Sequence, residues 1–323
     1  MEVLAIVLFL SRIFSALPLN WSLRIGRFFS WLWYWGIPIR LKVARQNISR
    51  VFKGSLDAKA QKRILRATTR HWAMYGVESL RLPYLSDKQI EQLIKREGFE
   101  HLEAGLARGK GIVCVTAHIG SFDLLACSGP LMGLPLAVVF KDIAWKPARD
   151  FWYAVRDRTG VRQIAPRNSK NEIRASLARN EIVAFAVDQH MARHRAIVCD
   201  FFNHLAATSP APVRFAMETG ATIITCHIER LDQNGHHLFH VDPPFILETP
   251  YKENADNIRY NTERLNRVIE GWIRKVPEQW LWLHRRWKVD DNPDGWEIPH
   301  DLWTKVGRKG DPPLLLNSTS QIP

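Results

Sequence analysis

Residues Gly111 to Leu125 read GIVCVTAHIGSFDLL: an unbroken apolar run that stops at His118, with Asp123 five residues further on. The run is short and rich in β-branched residues, so it reads as a buried strand rather than a helix. Gly120 supplies the freedom for a turn, and an apolar helix begins after it. A polar side chain at the carboxyl end of a buried strand stands where α/β sheets place their chemistry.

The surrounding pattern supports such a sheet. Upstream, EHLEAGLARGKG reads as a helix ending at Gly109; downstream, PLAVVF and EIVAFAV are further apolar strands separated by the helices PARDFWYAVRDRTG and NEIRASLARN. Continuous runs of this kind belong to strands covered on both faces. ATIITCHIERL and HHLFHVDPPF flank DQNG, a hairpin signal. Further segments at helical spacing are SLDAKAQKRILRATTRHWAMYGVESLRL, the capped SDKQIEQLIKR and the long NADNIRYNTERLNRVIEGWIRKV. The expected fold is α/β, with a central mixed, mainly parallel sheet flanked by helices and an N-terminal membrane-anchoring helix. Residues 1–40 form the anchor and interfacial segment, 41–304 the main domain and 305–323 a loose tail.

The chain has 323 residues, and 45 Lys and Arg against 32 Asp and Glu give a net charge of +13. That balance points to anionic partners such as phosphates, lipids or an acidic protein. The opening MEVLAIVLFLSRIFSALPLNW is apolar but lacks the positive start of a secretory signal, and Arg12 interrupts it before spanning length. Trp21, Trp31, Trp33, Tyr34 and Trp35 then stand beside Arg24, Arg27, Arg40, Lys42 and Arg45. Aromatic rings among cations suit an anionic membrane surface. An anchoring helix is the reading, with a single span left open. The four cysteines, in no C-x-x-C spacing, read as reduced packing thiols.

Twelve histidines, with acids at about a tenth of positions, give roughly one His-x4-Asp/Glu by chance. Three occur. His227 with Asp232 and His237 with Asp242 fall in the expected hairpin, where positions five apart point to opposite faces. His118 with Asp123 is set apart by its place after the strand. A carboxylate on one ring nitrogen fixes the tautomer and leaves the other nitrogen to take a proton from a hydroxyl, a general-base dyad. Neither Ser121 nor Cys114 is placed as a nucleophile, and no G-x-S-x-G elbow surrounds the site. Direct attack by a substrate hydroxyl is the simpler chemistry.

From about Leu17 to Gly295 the chain resembles the bacterial late lipid A acyltransferases of the lauroyl and myristoyl type, within the larger His-x4-Asp/Glu acyltransferase group. The resemblance rests on VARQNI, GFEHLEAGLARGKGIVCVTAHIGSFD, VRDRTG, VDQ, FFNHLAATSP and above all PEQWLWLHRRWK. It implies that His118 and Asp123 are catalytic, activating a sugar-linked hydroxyl for attack on a fatty acyl thioester. Arg156, Asp188, Gln189 and Lys141 match substrate-binding positions, with Arg156 placed for a phosphate or the developing oxyanion. Implied partners are an acyl carrier protein or acyl-coenzyme A as co-substrate, a glycolipid acceptor and the cytoplasmic face of the inner membrane. No cofactor, metal or nucleic acid is implied. Asp123 stands where Glu is commoner, Lys141 where many relatives carry Arg, and Val187 and Asp200 replace prolines. These departures bear on the acceptor: a phosphatidylinositol mannoside, a glycerol phosphate or a catalytically silent membrane-binding homologue are the alternatives.

Two further stretches are read against sharper possibilities. His190 and His194 lack the H-E-x-x-H glutamate for a zinc site, and DQHMARHRAIVCDFFNHL, residues 188–205, is expected to form a mobile basic loop over the acyl site. QWLWLHRRWK carries the rings and cations of a nucleic-acid stacking patch, but no nucleic-acid module accompanies it. It reads as a core element whose arginines face the bilayer or substrate.

Overall fold

The computed structural model describes residues 2–140, 145–165 and 169–308. Four helices come first: α1 (Glu2–Ala16), α2 (Leu19–Trp35), α3 (Leu41–Phe52) and α4 (Ala58–Arg81). The short α5 (Asp87–Gln92) leads into β1 (Ile94–Glu97), followed by α6 (Phe99–Ala107), β2 (Ile112–Thr116), α7 (Phe122–Leu131) and β3 (Leu136–Val139). Then come α8 (Lys146–Thr159), β4 (Arg162–Ile164), α9 (Ser169–Ala178) and β5 (Ile182–Ala186). A hairpin of β6 (Ile197–Phe201) and β7 (His204–Thr208) precedes α10 (Ala211–Thr219), β8 (Thr222–Arg230) and β9 (His237–Val241). The chain continues through α11 (Asn254–Lys275), α12 (Lys288–Asp291) and α13 (His300–Lys305).

Seven strands form one sheet in the order β1-β9-β8-β2-β5-β3-β4. The five from β8 to β4 run parallel, while β9 is antiparallel to β8 and β1 runs with β9. Alternation along the central strands divides the core into two layers. Val113, Val115, Val183 and Phe185 pack with Ile173, Leu177, Val213 and Ile269 on one side. Ile112, Cys114, Ile182 and Ala184 pack with Leu124, Leu125, Phe151 and Val155 on the other. This is why the central runs are apolar at every position. All four cysteines are free and buried.

Two local expectations change. The helix expected over SDKQIEQLIKR starts with a Ser86–Gln89 capping box but stops at Gln92, and Ile94–Glu97 pairs with β9 instead. Sheet pairing there overrides local helix preference. The stretch expected as a mobile loop contains the antiparallel β6–β7 hairpin, with Cys199, Phe201, Leu205 and Ala206 fully buried. Its turn places Phe202 and Asn203 at φ 56° and 58°, the two successive left-handed residues of a tight hairpin turn. The N-terminal segment, read as an anchoring helix with a span left open, folds as the two helices α1 and α2. Among the described residues no helix is long and apolar enough to cross a membrane, and the 15 residues of α1 reach only about 22 Å.

The α1–α2 break at Pro18 frees main-chain carbonyls, and the buried Arg81 takes them up. Its guanidinium donates to Phe14 O, to Leu17 O at 2.7 Å and to Ser22 Oγ at 2.9 Å. The helical pair is thereby fixed to α4. The outward face of α1 and α2 remains apolar, with Phe9, Trp21, Phe28, Trp31 and Trp35 each more than half exposed.

PEQWLWLHRRWK forms the centre of the larger core layer, with Trp280, Trp282 and Trp287 buried. Arg286 does not face outward as expected; it is fully buried. It donates to Ala207 O, to Gln189 O at 3.3 Å and to Thr208 Oγ1 at 2.7 Å, and it lies 4.8 Å from the centre of the Phe201 ring. Burial lowers its pKa to about 10, against the opposing pull of Asp188, so it stays charged at neutral pH. Replacing it takes a donor from three acceptors, of which Ala207 O keeps a second one in Met191 N at 3.2 Å, and removes the buried cation that holds them together. Arg286→Met should therefore lose about 3–5 kcal/mol in urea unfolding; a loss below about 1 kcal/mol would show that the cage is dispensable.

Candidate active site

β2 and β5 are parallel neighbours, with Thr116 opposite Ala186. Two residues beyond each strand end stand His118 and Asp188. The register alone sets them side by side, and Val187 N still donates to Thr116 O at 3.2 Å to hold it. His118 uses two donors on this carboxylate: its main-chain N–H reaches Asp188 Oδ2 at 3.0 Å, and its ring Nδ1 lies 2.8 Å from Oδ1. Trp280 Nε1 donates to Oδ2 at 2.8 Å. Asp188 is almost wholly buried, whereas the His118 side chain is 22% exposed.

The turn carrying His118 is clamped from one side. Leu281 N donates to His118 O at 3.1 Å, Gly120 N donates to Gln279 O at 3.1 Å, and Ile119 bridges Trp280. Gly120 adopts φ +61°, and a Cβ there would lie 1.8 Å from Ile228 O, so only glycine fits. The clamp is itself pinned: Asn47 on α3 donates to Trp282 O at 2.7 Å and to His284 O at 2.8 Å, and Trp72 Nε1 donates to Trp280 O at 3.1 Å.

Asp123, expected as the ring partner of His118, lies in the first turn of α7 and faces other groups. Its Oδ2 accepts from the Tyr75 hydroxyl, and its Oδ1 lies 3.6 Å from Arg156 Nη2. Arg156 in turn stacks over Phe140 at 3.5 Å and donates to Gln163 Oε1 at 3.3 Å. Phe122 connects the two groups, edge-on to His118 at 4.9 Å and stacked on Tyr75 at 5.1 Å. Gln189 is held through its carbonyl by Arg286. Lys141 lies outside the described residues.

The two carboxylates sit in opposite electrostatic settings. Burial pushes the Asp188 pKa up, but His118, Trp280 and the His118 amide outweigh it and bring it below the ordinary value. For Asp123 burial prevails over Arg156 and Tyr75, and its pKa is raised. His118 is opposed by burial, yet Asp188 first and the Asp123 charge second lift its pKa above the ordinary 6.5. With Nδ1–H directed at Asp188, Nε2 is the basic nitrogen.

The other histidine pairs resolve as structure. His237 Nε2 lies 3.2 Å from Glu78 Oε1 inside a buried pair with Arg230, and His227 stacks on Trp272 at 4.6 Å. His71 is buried, and burial lowers its pKa to about 3. His190 packs on Trp296, and its main-chain N–H donates to His284 Nε2 at 3.1 Å.

A histidine oriented by a buried aspartate, with an arginine held nearby, is the equipment of a general base acting on a hydroxyl. Residues 2–289 match the family profile described as bacterial lipid A biosynthesis acyltransferase. The chain belongs to this family. It is 26% identical over 259 residues to the lipid A biosynthesis palmitoleoyltransferase of Escherichia coli, covering 77% of this chain and 79% of that one. It is 23% identical over 262 residues to the lauroyltransferase of the same organism, covering 79% and 81%. It is also 23% identical over 190 residues to the phosphatidylinositol mannoside acyltransferase of Mycobacterium tuberculosis, covering 57% and 59%. The protein is thus an acyl-transfer enzyme.

Removing the charge from Asp188 leaves burial largely unopposed at His118. In Asp188→Asn the His118 pKa should fall below its wild-type value, read by NMR titration of ring-labelled histidine. A larger fall in Asp123→Asn than in Asp188→Asn would reverse the assignment of the direct partner.

Proposed function

We propose that the enzyme transfers a fatty acyl chain from an acyl-carrier-protein or coenzyme A thioester to a hydroxyl of a glycolipid, a lipid A precursor, at the cytoplasmic face of the inner membrane. The observation that carries the mechanism is the 2.8 Å contact of His118 Nδ1 with Asp188, because it leaves Nε2 as the base. His118 Nε2 takes the proton of the acceptor hydroxyl while the oxygen attacks the thioester carbonyl carbon. The tetrahedral intermediate collapses, the carbon–sulfur bond breaks, and the thiolate leaves with the proton returned from His118. Asp188, kept ionised by its neighbours, stabilises the imidazolium formed in between.

Asp123, expected as a member of the dyad, is assigned a supporting role beside the His118–Asp188 pair. Its carboxylate anchors Tyr75 and holds Arg156, whose guanidinium is suited to a phosphate or the developing oxyanion. The exposed rings of α1 and α2 support attachment by helices lying in the membrane surface. The same chemistry on a phosphatidylinositol mannoside is the second reading, favoured by the similarity to the mycobacterial relative.

Because the base must be neutral to accept a proton, its raised pKa places the rising limb of activity above pH 6.5. Asp188→Asn should move that limb toward acid and lower the plateau about a thousandfold, and His118→Ala should abolish transfer. The decisive measurement is mass spectrometry of lipids from a host lacking its own late acyltransferase, with and without this gene. A saccharolipid gaining one acyl chain supports the first reading; gain on an inositol mannoside replaces it with the second. Unchanged transfer by both variants would move the chemistry elsewhere.

A further inference from the structure

A concavity lies where α2 ends and α3 and α4 begin. It is a cleft of about 520 Å³ lined by Tyr34, Trp35, Pro38, Leu41, Lys42, Arg45 and Lys62, within the size range of sites for small groups. It shares no residue with the His118 cluster. The three cations project from two helices, all are exposed, and among the described residues none is in an ion pair with an acid. Between Arg40 and Arg70 the only acid is Asp57, and its side chain is occupied capping α4 at Ala60 N. Arg66 adds a fourth charge behind the wall, 5.3 Å from the rings of both Tyr34 and Trp35.

Three unpaired cations around an aromatic-walled hollow call for a compact anion. The rim indicates where that anion resides. Trp31, Trp35, Ile37 and Ile39 are 56–63% exposed beside the opening, continuous with the apolar outer face of α2. Rings and aliphatic side chains at that level enter the headgroup zone of a bilayer, and cations just above it meet lipid phosphates. An acidic protein would instead need a broad wettable face.

We infer that this cleft is a binding site for the phosphate of an anionic phospholipid headgroup, fixing the enzyme on the membrane at a point separate from the catalytic residues. The inference rests on membrane attachment and adds a charge-selective site to it. The cations give selectivity for anionic lipid, and the apolar rim gives depth.

The test measures co-sedimentation of the full chain with vesicles of phosphatidylcholine alone or with about one-third phosphatidylglycerol. It compares wild type, Lys42→Gln/Arg45→Gln/Lys62→Gln, and a control triple at exposed lysines elsewhere, Lys95→Gln/Lys110→Gln/Lys252→Gln. Wild type should prefer the anionic vesicles. The cleft triple should lose about a hundredfold in that affinity, at about a factor of five for each cation, while the control triple stays within a few-fold. All three should unfold at the same temperature.

Equal binding of wild type to both vesicles would overturn the cleft and leave membrane attachment standing, whereas no binding to either would overturn both. Equal losses in the two triples would reduce the effect to net charge. Displacement from anionic vesicles by millimolar glycerol phosphate would make the site one for soluble phosphates. A cleft triple that kept its vesicle affinity but lost binding to acyl carrier protein would make it a protein-docking site.

Discussion

His118 and Asp188 meet because two parallel strands are neighbours and in register, and most of the sequence's unusual features serve that meeting. The strands deliver the two side chains to the same level at the carboxyl edge of the sheet. From there α7 packs on one sheet face, while the chain after β5 returns through α10 to the other. The imidazole stays partly open at this edge, where α/β sheets place their ligand sites. A carboxylate buried here would be costly if unpaired. It accepts from the His118 amide, the His118 ring and Trp280, and so remains an anion in the core.

PEQWLWLHRRWK then has a physical explanation. Gln279, Trp280 and Leu281 form an irregular antiparallel partner for the His118 turn, which would otherwise rest on one strand end and a glycine. Trp282 and Trp287 fill the core beneath, and Arg286 ties the segment to the β6–β7 hairpin by donating to the Ala207 carbonyl and the Thr208 hydroxyl. The run resembles a nucleic-acid patch in composition alone; its rings are spent on packing and on hydrogen bonds from Trp280 to Asp188, from Trp282 to Pro277 O and from Trp287 to Phe201 O.

The central strands and the major helices were legible because each carries its own periodicity and stop signal. The partner of His118 was not. Sequence proximity favoured Asp123, since a turn through Gly120 brings it near, and charge from Asp123 does reach the ring. Asp188 is 70 positions away, and pairing it requires knowing that β5 inserts between β2 and β3. A trace of it exists in hindsight: VTAH and FAVD both place the polar residue two positions past an apolar strand. That pattern becomes decisive only once the strands are known to be adjacent. Arg286 was misread because a charge in an aromatic run is usually solvated, and only the three-dimensional cage shows why this one is not.

The separation of the two carboxylates is physically consistent with the division of labour proposed for them. An acid that must stabilise an imidazolium has to stay ionised as the proton arrives, which favours the site where hydrogen-bond donors overcome burial. That is Asp188. A carboxyl whose pKa is raised by burial, as at Asp123, makes a poorer relay, but it can position a hydroxyl and a guanidinium at short range. Helix α3 joins this chemistry to the surface: Asn47 on its inner face holds the clamp segment, while Lys42 and Arg45 on its outer face point away from the core. One rigid element therefore sets both the height of the clamp and the placing of the basic cleft, so that seating the outer face on a surface would give the His118 turn a fixed orientation toward it.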